Sequence, residues 1–239
     1  MQLSNTSLFE VQVPVACLTK DHGPFSRLTG AAQQRFAAMG TEKSYSRGDN
    51  MFVEGQMPLF VSILLSGRVK LSVTSRDGKT MILRIAEAGD VLGLSAALNA
   101  SEHEVTAEAA EFCRVKTIRA NDFLDFLKKY PAAAMEATQC LLREHRHMFK
   151  DVCRLGLPAT VAGRVANLLL DWRERRAKSG HGEPRLTMTL TQEEIAGMTA
   201  TSRETVSRVL QQFQREKLIS IKGVFLTVLQ PKALEQLAI

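Results

Sequence analysis

The chain has 239 residues, 45% of them hydrophobic and 23% charged, with a net charge of +6. That is the composition of an ordinary globular protein of roughly two domains, and it excludes a disordered chain. No apolar run approaches the roughly 18 residues of a membrane-spanning helix, the N-terminus lacks the basic start of a secretory signal, and Cys17, Cys113, Cys140 and Cys153 form no C-x-x-C pair or disulfide framework. The expectation is a cytoplasmic protein with no membrane partner.

Residues 1–24 read as an N-terminal arm closed by His22-Gly23-Pro24, and 28–39 as a short helix. From 45 to 117 short apolar or alternating runs (61–65, 69–73, 81–85) are punctuated by Gly48, Gly55, Gly67, Gly78 and Gly89. Short strands with glycine turns predict an antiparallel β-roll, and 25–130 is taken as one sensor domain. Residues 121–130 read as a helix, and Pro131 suits the first turn of a long one running to about 155. Along it Met135, Thr138, Leu142, His145, Phe149 and Val152 follow coiled-coil spacing, while Ala134, Ala137, Leu141 and Met148 form a second stripe for the roll. Two apolar faces imply two partners, so 131–157 is read as the dimerisation helix of a homodimer, ending in a hinge at Gly156 and Pro158. A single buried helix is the alternative.

The rest, 158–239, carries twelve Lys/Arg against eight Asp/Glu, whereas the larger part before it carries nineteen against seventeen. An amphipathic helix over 161–176, a loop over 180–184 and a short strand over 186–190 precede TQEEIAGMTATSRETVSRVL at 191–210. Thr191 with Glu194, and Thr201 with Glu204, match the capping box and so predict two helix starts joined by a three-residue turn. Ile195 and Met198, then Val206, Val209, Leu210 and Phe213, recur at helical spacing and must bury against each other. Arg203, Glu204, Ser207 and Arg208 fall on the opposite side, near the end that enters the major groove in a helix-turn-helix. Their chemistry suits base reading, because an Arg fork matches O6 and N7 of guanine, and Glu accepts from the cytosine amino group. The plainer alternative is a solvated face with Glu204 and Arg208 paired at i,i+4. Strands over 218–221 and 224–229, around Lys222-Gly223, add a hairpin. The whole is expected to be an α+β chain: an N-terminal antiparallel β-roll, a long dimerisation helix and a C-terminal winged helix-turn-helix for binding double-stranded DNA.

On SRETVSRVLQQFQREKLIS, on GDVLGL after the roll and on the spaced glycines, the chain resembles the Crp/Fnr family of the catabolite activator protein over nearly its whole length. The resemblance implies that the roll is a cyclic-nucleotide-binding-like jelly roll and that the chain is a dimeric transcriptional regulator on a palindrome, with base readers at Arg203, Glu204, Ser207 and Arg208. Ser202, which opens the segment, is counted with the DNA-binding residues, and Thr191 matches a phosphate-contacting position. It implies half-sites like TGTGA or TTGAT, and Arg203 favours TGTGA. In such dimers the two-fold symmetry of the protein is matched by a palindromic operator. RNA polymerase is the implied partner of an activating member, with the loop over 177–184 as the candidate patch.

The ligand site departs from the family pattern. Where cyclic-nucleotide binders place Gly-Glu-Leu and Arg-Ser, this chain has Gly93-Leu94-Ser95 and Glu104-Val105, and a carboxylate repels a phosphodiester. Phe149 and Lys150 stand where adenine-contacting hydroxyls would be, so control by cyclic AMP is not expected. Arg84, Arg146 and Lys150 are the candidates for some other anion, and the effector is unassigned. No cofactor is expected: Cys17 stands alone and Lys116 takes the roll position that a cluster thiolate would need. His145 reads as a packed interface residue, His103 as a solvated one, and Cys140, Glu144 and His147 share a face without a fourth metal ligand. No catalytic motif is present, so an enzyme is not expected. The alternatives are a small-molecule-gated regulator of the same family and a sequence-independent architectural DNA binder.

Overall fold

The computed structural model describes residues 23–178, 185–187, 190–223 and 225–238. Most of the expected N-terminal arm, Cys17 included, lies outside the described residues, as do the loop over 180–184 and part of the expected strand over 186–190.

Helix α1 (Gly30–Ala38) begins two residues later than its pattern suggests and leads into the roll. Eight strands follow: β1 (Thr41–Tyr45), β2 (Asn50–Phe52), β3 (Phe60–Ser66), β4 (Val69–Thr74), β5 (Thr80–Ala86), β6 (Val91–Leu92), β7 (Thr106–Ala109) and β8 (Cys113–Arg119). They form two antiparallel sheets, ordered β1-β8-β3-β6 and β2-β7-β4-β5. Leu64, Val69, Leu71, Leu92, Ala107, Ala109 and Val115 bury one apolar cluster there. The turn between β3 and β4 needs Gly67, whose φ is +88°, and a Cβ on it would meet the Phe112 carbonyl oxygen at 2.5 Å. A short helix α2 (Leu94–Asn99), absent from the expectation, buries Leu94, Ala96 and Ala97 between β6 and β7.

Helices α3 (Ala120–Lys129) and α4 (Pro131–Gly156) close the roll. Phe123 and Phe126 of α3 meet Phe25 and Phe36, with Phe123 edge-on to Phe25 at 5.6 Å. On α4, Ala133, Ala137 and Cys140 are buried against the roll, and Ala134 and Leu141 partly so. Met148 does not follow them; it is exposed. Beyond residue 141 the side of α4 nearest the roll is instead polar: Glu144, His147, Asp151 and Arg154 continue the Cys140 line at alternating steps of four and three. Met135, Leu142, Phe149 and Val152 are each more than half exposed, so one chain leaves the coiled-coil stripe uncovered.

Leu157 ends α4, and α5 (Val161–Lys178) starts after Pro158 with Thr160 Oγ1 accepting the Gly163 N–H at 3.0 Å. The winged part then comprises α5, β9 (Arg185–Thr187), α6 (Gln192–Met198), α7 (Arg203–Arg215), β10 (Ile219–Lys222), β11 (Phe225–Val228) and α8 (Pro231–Leu237), with its strands ordered β10-β11-β9. Helix α8 was not expected, although Pro231 sits at its first turn, where proline marks helix starts. Val165, Leu168, Leu169, Ile195, Val206, Leu210, Phe213, Leu226 and Leu234 share one buried cluster. Burying each larger side chain contributes about 1.5–3 kcal/mol. Val206, Val209, Leu210 and Phe213 therefore fix the rotation of α7 and turn its polar side outward.

Candidate nucleic-acid interface

The start of α6 is tied reciprocally. Thr191 Oγ1 accepts the Glu194 N–H at 3.2 Å, and the Glu194 carboxylate accepts the Thr191 N–H at 2.8 Å. Thr191 is exposed, and its oxygen acts there as acceptor, so its O–H stays available as a donor to a phosphate. At the other end the buried Thr199 hydroxyl donates to the Ile195 carbonyl at 2.7 Å, and Ala200 takes a φ of +49°. Sequence reading missed Arg164, on α5: its Nε donates to the Thr199 carbonyl at 2.8 Å and places positive charge at the C-terminus of α6.

The second helix starts one residue later than the pattern predicts. Its cap is Ser202, whose hydroxyl oxygen accepts the Thr205 N–H at 3.2 Å, and no reciprocal Thr201–Glu204 box forms. The link between the helices is four residues, 199–202, because the Thr201 N–H reaches back to the Ala196 carbonyl at 3.0 Å and delays the start. The shift takes Glu204 out of the reciprocal box. It lies in the first turn of α7 with Arg203, both exposed; Arg208 is exposed one turn on, and Ser207 is half-buried between them. The Glu204 carboxyl is held below the usual glutamate range first by its own backbone N–H, then by the Ser202 side chain, and further by Arg203 and Arg208. It is thus an ionised acceptor flanked by two guanidinium groups, which together offer donors to guanine and an acceptor to cytosine. Among the described residues no ion pair joins Glu204 to Arg208, as the plainer reading required.

The seam between β5 and α4 differs. Arg84 is buried, pairs with Asp90 at 3.3 Å and donates to Nδ1 of His147 at 3.0 Å, so it is not the free anion-binding cation that its type suggested. Burial pushes the Glu144 carboxyl up, Arg84 opposes that, and Asp90 and Glu104 add to it. Arg146, Phe149 and Lys150 all lie exposed on α4, so the candidate cations do not converge.

His103 is buried rather than solvated, because its ring stacks on Phe52 at 3.9 Å, and burial pulls its pKa down. His145 is exposed on the uncovered side of α4. Lys116 donates to the Phe36 and Ala37 carbonyls at 2.7 and 3.2 Å, capping α1. The buried Cys113 thiol donates to two backbone carbonyls, and burial pushes its pKa up, the opposite of what a thiolate ligand needs. Among the described residues no three His, Cys, Asp or Glu side chains are grouped to hold a metal ion, and no helix is long and apolar enough to cross a membrane.

Residues 42–130 match the model of the cyclic nucleotide-binding domain, and residues 163–237 that of the Crp-like helix-turn-helix domain. The chain is 28% identical over 179 residues to a CRP-like cAMP-activated global transcriptional regulator of Mycobacterium tuberculosis, covering 75% of this chain and 80% of that one. It is 25% identical over 222 residues to the nitrogen fixation regulation protein FixK of Bradyrhizobium diazoefficiens, covering 93% and 92%. The solved structure of FixK2 from Bradyrhizobium japonicum superimposes with a TM-score of 0.73 at 22% identity, over 84% of this chain and 98% of that one, a likeness of fold.

Proposed function

Since the chain belongs to the Crp/Fnr family of DNA-binding transcriptional regulators, we propose that it binds a palindrome of TGTGA-like half-sites as a homodimer and is not controlled by cyclic AMP. One observation carries the reading: Arg203, Glu204, Ser207 and Arg208 lie together on the outward side of the first turns of α7. Arg203 and Arg208 would each take a guanine, Glu204 a cytosine amino group, and the Thr191 and Ser202 hydroxyls the flanking phosphates. The uncovered stripe of Met135, Leu142, Phe149 and Val152 supports pairing of two copies through α4, since an apolar stripe at this spacing is stable when a second helix covers it. Two-fold pairing would present two reading heads to one palindrome. We take the protein to work in the cytoplasm, where duplex DNA is available.

The case against cyclic AMP rests on charge. A phosphodiester needs an unspent cation, and Arg84 is buried against Asp90 and His147 in a seam that Glu144 and Glu104 make acidic. The test is selection of bound duplexes from a random pool by the effector-free protein, repeated with cyclic AMP added. The expected result is the same inverted TGTGA-like repeat in both. Enrichment only with cyclic AMP would favour the ligand-gated reading that the mycobacterial relative's name describes for that protein; enrichment of no motif in either would contradict sequence-specific reading by the free protein.

A further inference from the structure

Glycine inside a helix costs about 1 kcal/mol relative to alanine, so Gly197, one residue before the end of α6, calls for a reason. Backbone conformation is not it, since Gly197 is not among the residues with positive φ. Space is. A Cβ at residue 197 would lie 3.1 Å from both Cδ1 and Cγ1 of Ile82 and 3.6 Å from its Cβ.

Ile82 belongs to β5, an edge strand of the roll. Ile82 and Ile85 are both buried, and the apolar cluster they join is that of the winged part, with Val165, Ile195 and Phe213, rather than either cluster of the roll. A strand paired on one side only, by β4, is thereby packed against the first helix of the helix-turn-helix. A second element grips the same strand. Arg154 of α4, paired with Asp151 at 2.8 Å with both side chains buried, donates to the Leu83 carbonyl at 3.3 Å. Strand β5 is thus fastened to the long helix through Arg154 and to the reading head through Ile82.

We propose that β5 is a brace for the reading head: Ile82 seats in the notch left by Gly197 and fixes α6, and with it α7, relative to the roll and α4 without any ligand. The proposal rests on the sequence-specific reading above. Ile82 and Gly197 are positioning residues, acting on DNA only through α7. The short link 157–160 would otherwise let the head move, and ordering two loose heads on one palindrome subtracts from the binding free energy. A braced pair meets its second half-site at a higher effective concentration.

Two variants of the full chain test this. Gly197→Gln fills the notch with a good helix former, and Ile82→Ala removes the side chain that fills it without altering the DNA-binding residues. Affinity is measured for a duplex with both half-sites and for one with a single half-site, the other scrambled. Each variant should lose about tenfold on the double site while changing by less than about twofold on the single one. Equal losses on both duplexes, or no loss on either, would overturn the brace. Amide hydrogen exchange without DNA supplies a separate arm: exchange in residues 80–86 and 192–198 should quicken in both variants, and unchanged exchange would overturn the docking itself. If the wild-type chain fails to prefer the palindrome over scrambled DNA, the sequence-specific reading fails, and the exchange arm still decides whether β5 holds the head.

Discussion

The first turns of α7 and the seam between β5 and α4 both set arginines beside carboxylates, and they use them in opposite ways. On α7, Arg203, Glu204 and Arg208 all face solvent. At the seam, Arg84 and Arg154 are buried, and each already holds a carboxylate. An exposed guanidinium can trade water for a base edge at little cost, whereas freeing a buried one leaves an uncompensated charge behind, at several kcal/mol. Residue type is the same in both places. Burial decides which cluster stays open to a polar partner and which holds the molecule together.

Breaking the buried cluster should have the largest effect. Arg154→Ala removes the ion-pair partner of Asp151 and a donor to β5, and is expected to cost about 3–5 kcal/mol of stability in chemical denaturation; a loss below about 1 kcal/mol would mean the pair adds little. Arg203→Ala should leave stability unchanged while costing about 1–3 kcal/mol of affinity on the cognate duplex and relaxing choice at one base position. Equal losses on cognate and scrambled duplexes would make Arg203 a general phosphate contact. Thr191→Ala removes the α6 cap, with an expected loss of about 0.5–2 kcal/mol of stability that Thr191→Ser restores; failure of serine to rescue would remove the cap as the cause.

The smallest effect concerns pH. Burial holds the His103 pKa below its ordinary 6.5, so as pH falls through 6.5 the unfolded chain takes up a proton that the folded chain refuses. Stability from this group is complete above 6.5 and declines as pH falls towards the lowered folded value. His103→Phe keeps a ring on Phe52 and removes the titration, so its melting temperature should vary less than the wild type's between about pH 7 and pH 5. Identical slopes would contradict the assignment.

The legible parts of the chain were those whose cause is local. Helix α7 is announced by Val206, Val209, Leu210 and Phe213 within eight residues, and the cap at Thr191 by Glu194 three residues on. Where two hydroxyls stand side by side, spacing alone chose Thr201; the backbone chose Ser202, because the Thr201 N–H is already engaged by Ala196. The misplaced residues owe their setting to distant chain. His103 is buried by Phe52, Arg84 is spent on His147, and Gly197 makes room for Ile82, contacts that no local pattern announces. Met148 shows the same limit: its spacing matches the roll-facing stripe, but the roll presents β5 to a polar line of α4 at that height.

Whether the outward side of α7 reads sequence is tested most directly by the affinity of the effector-free chain for a TGTGA-bearing palindrome and for a scrambled duplex of equal composition, at one fixed salt concentration. A base-reading α7 predicts a preference of about a thousandfold or more for the palindrome. Equal affinity for the two duplexes would contradict it.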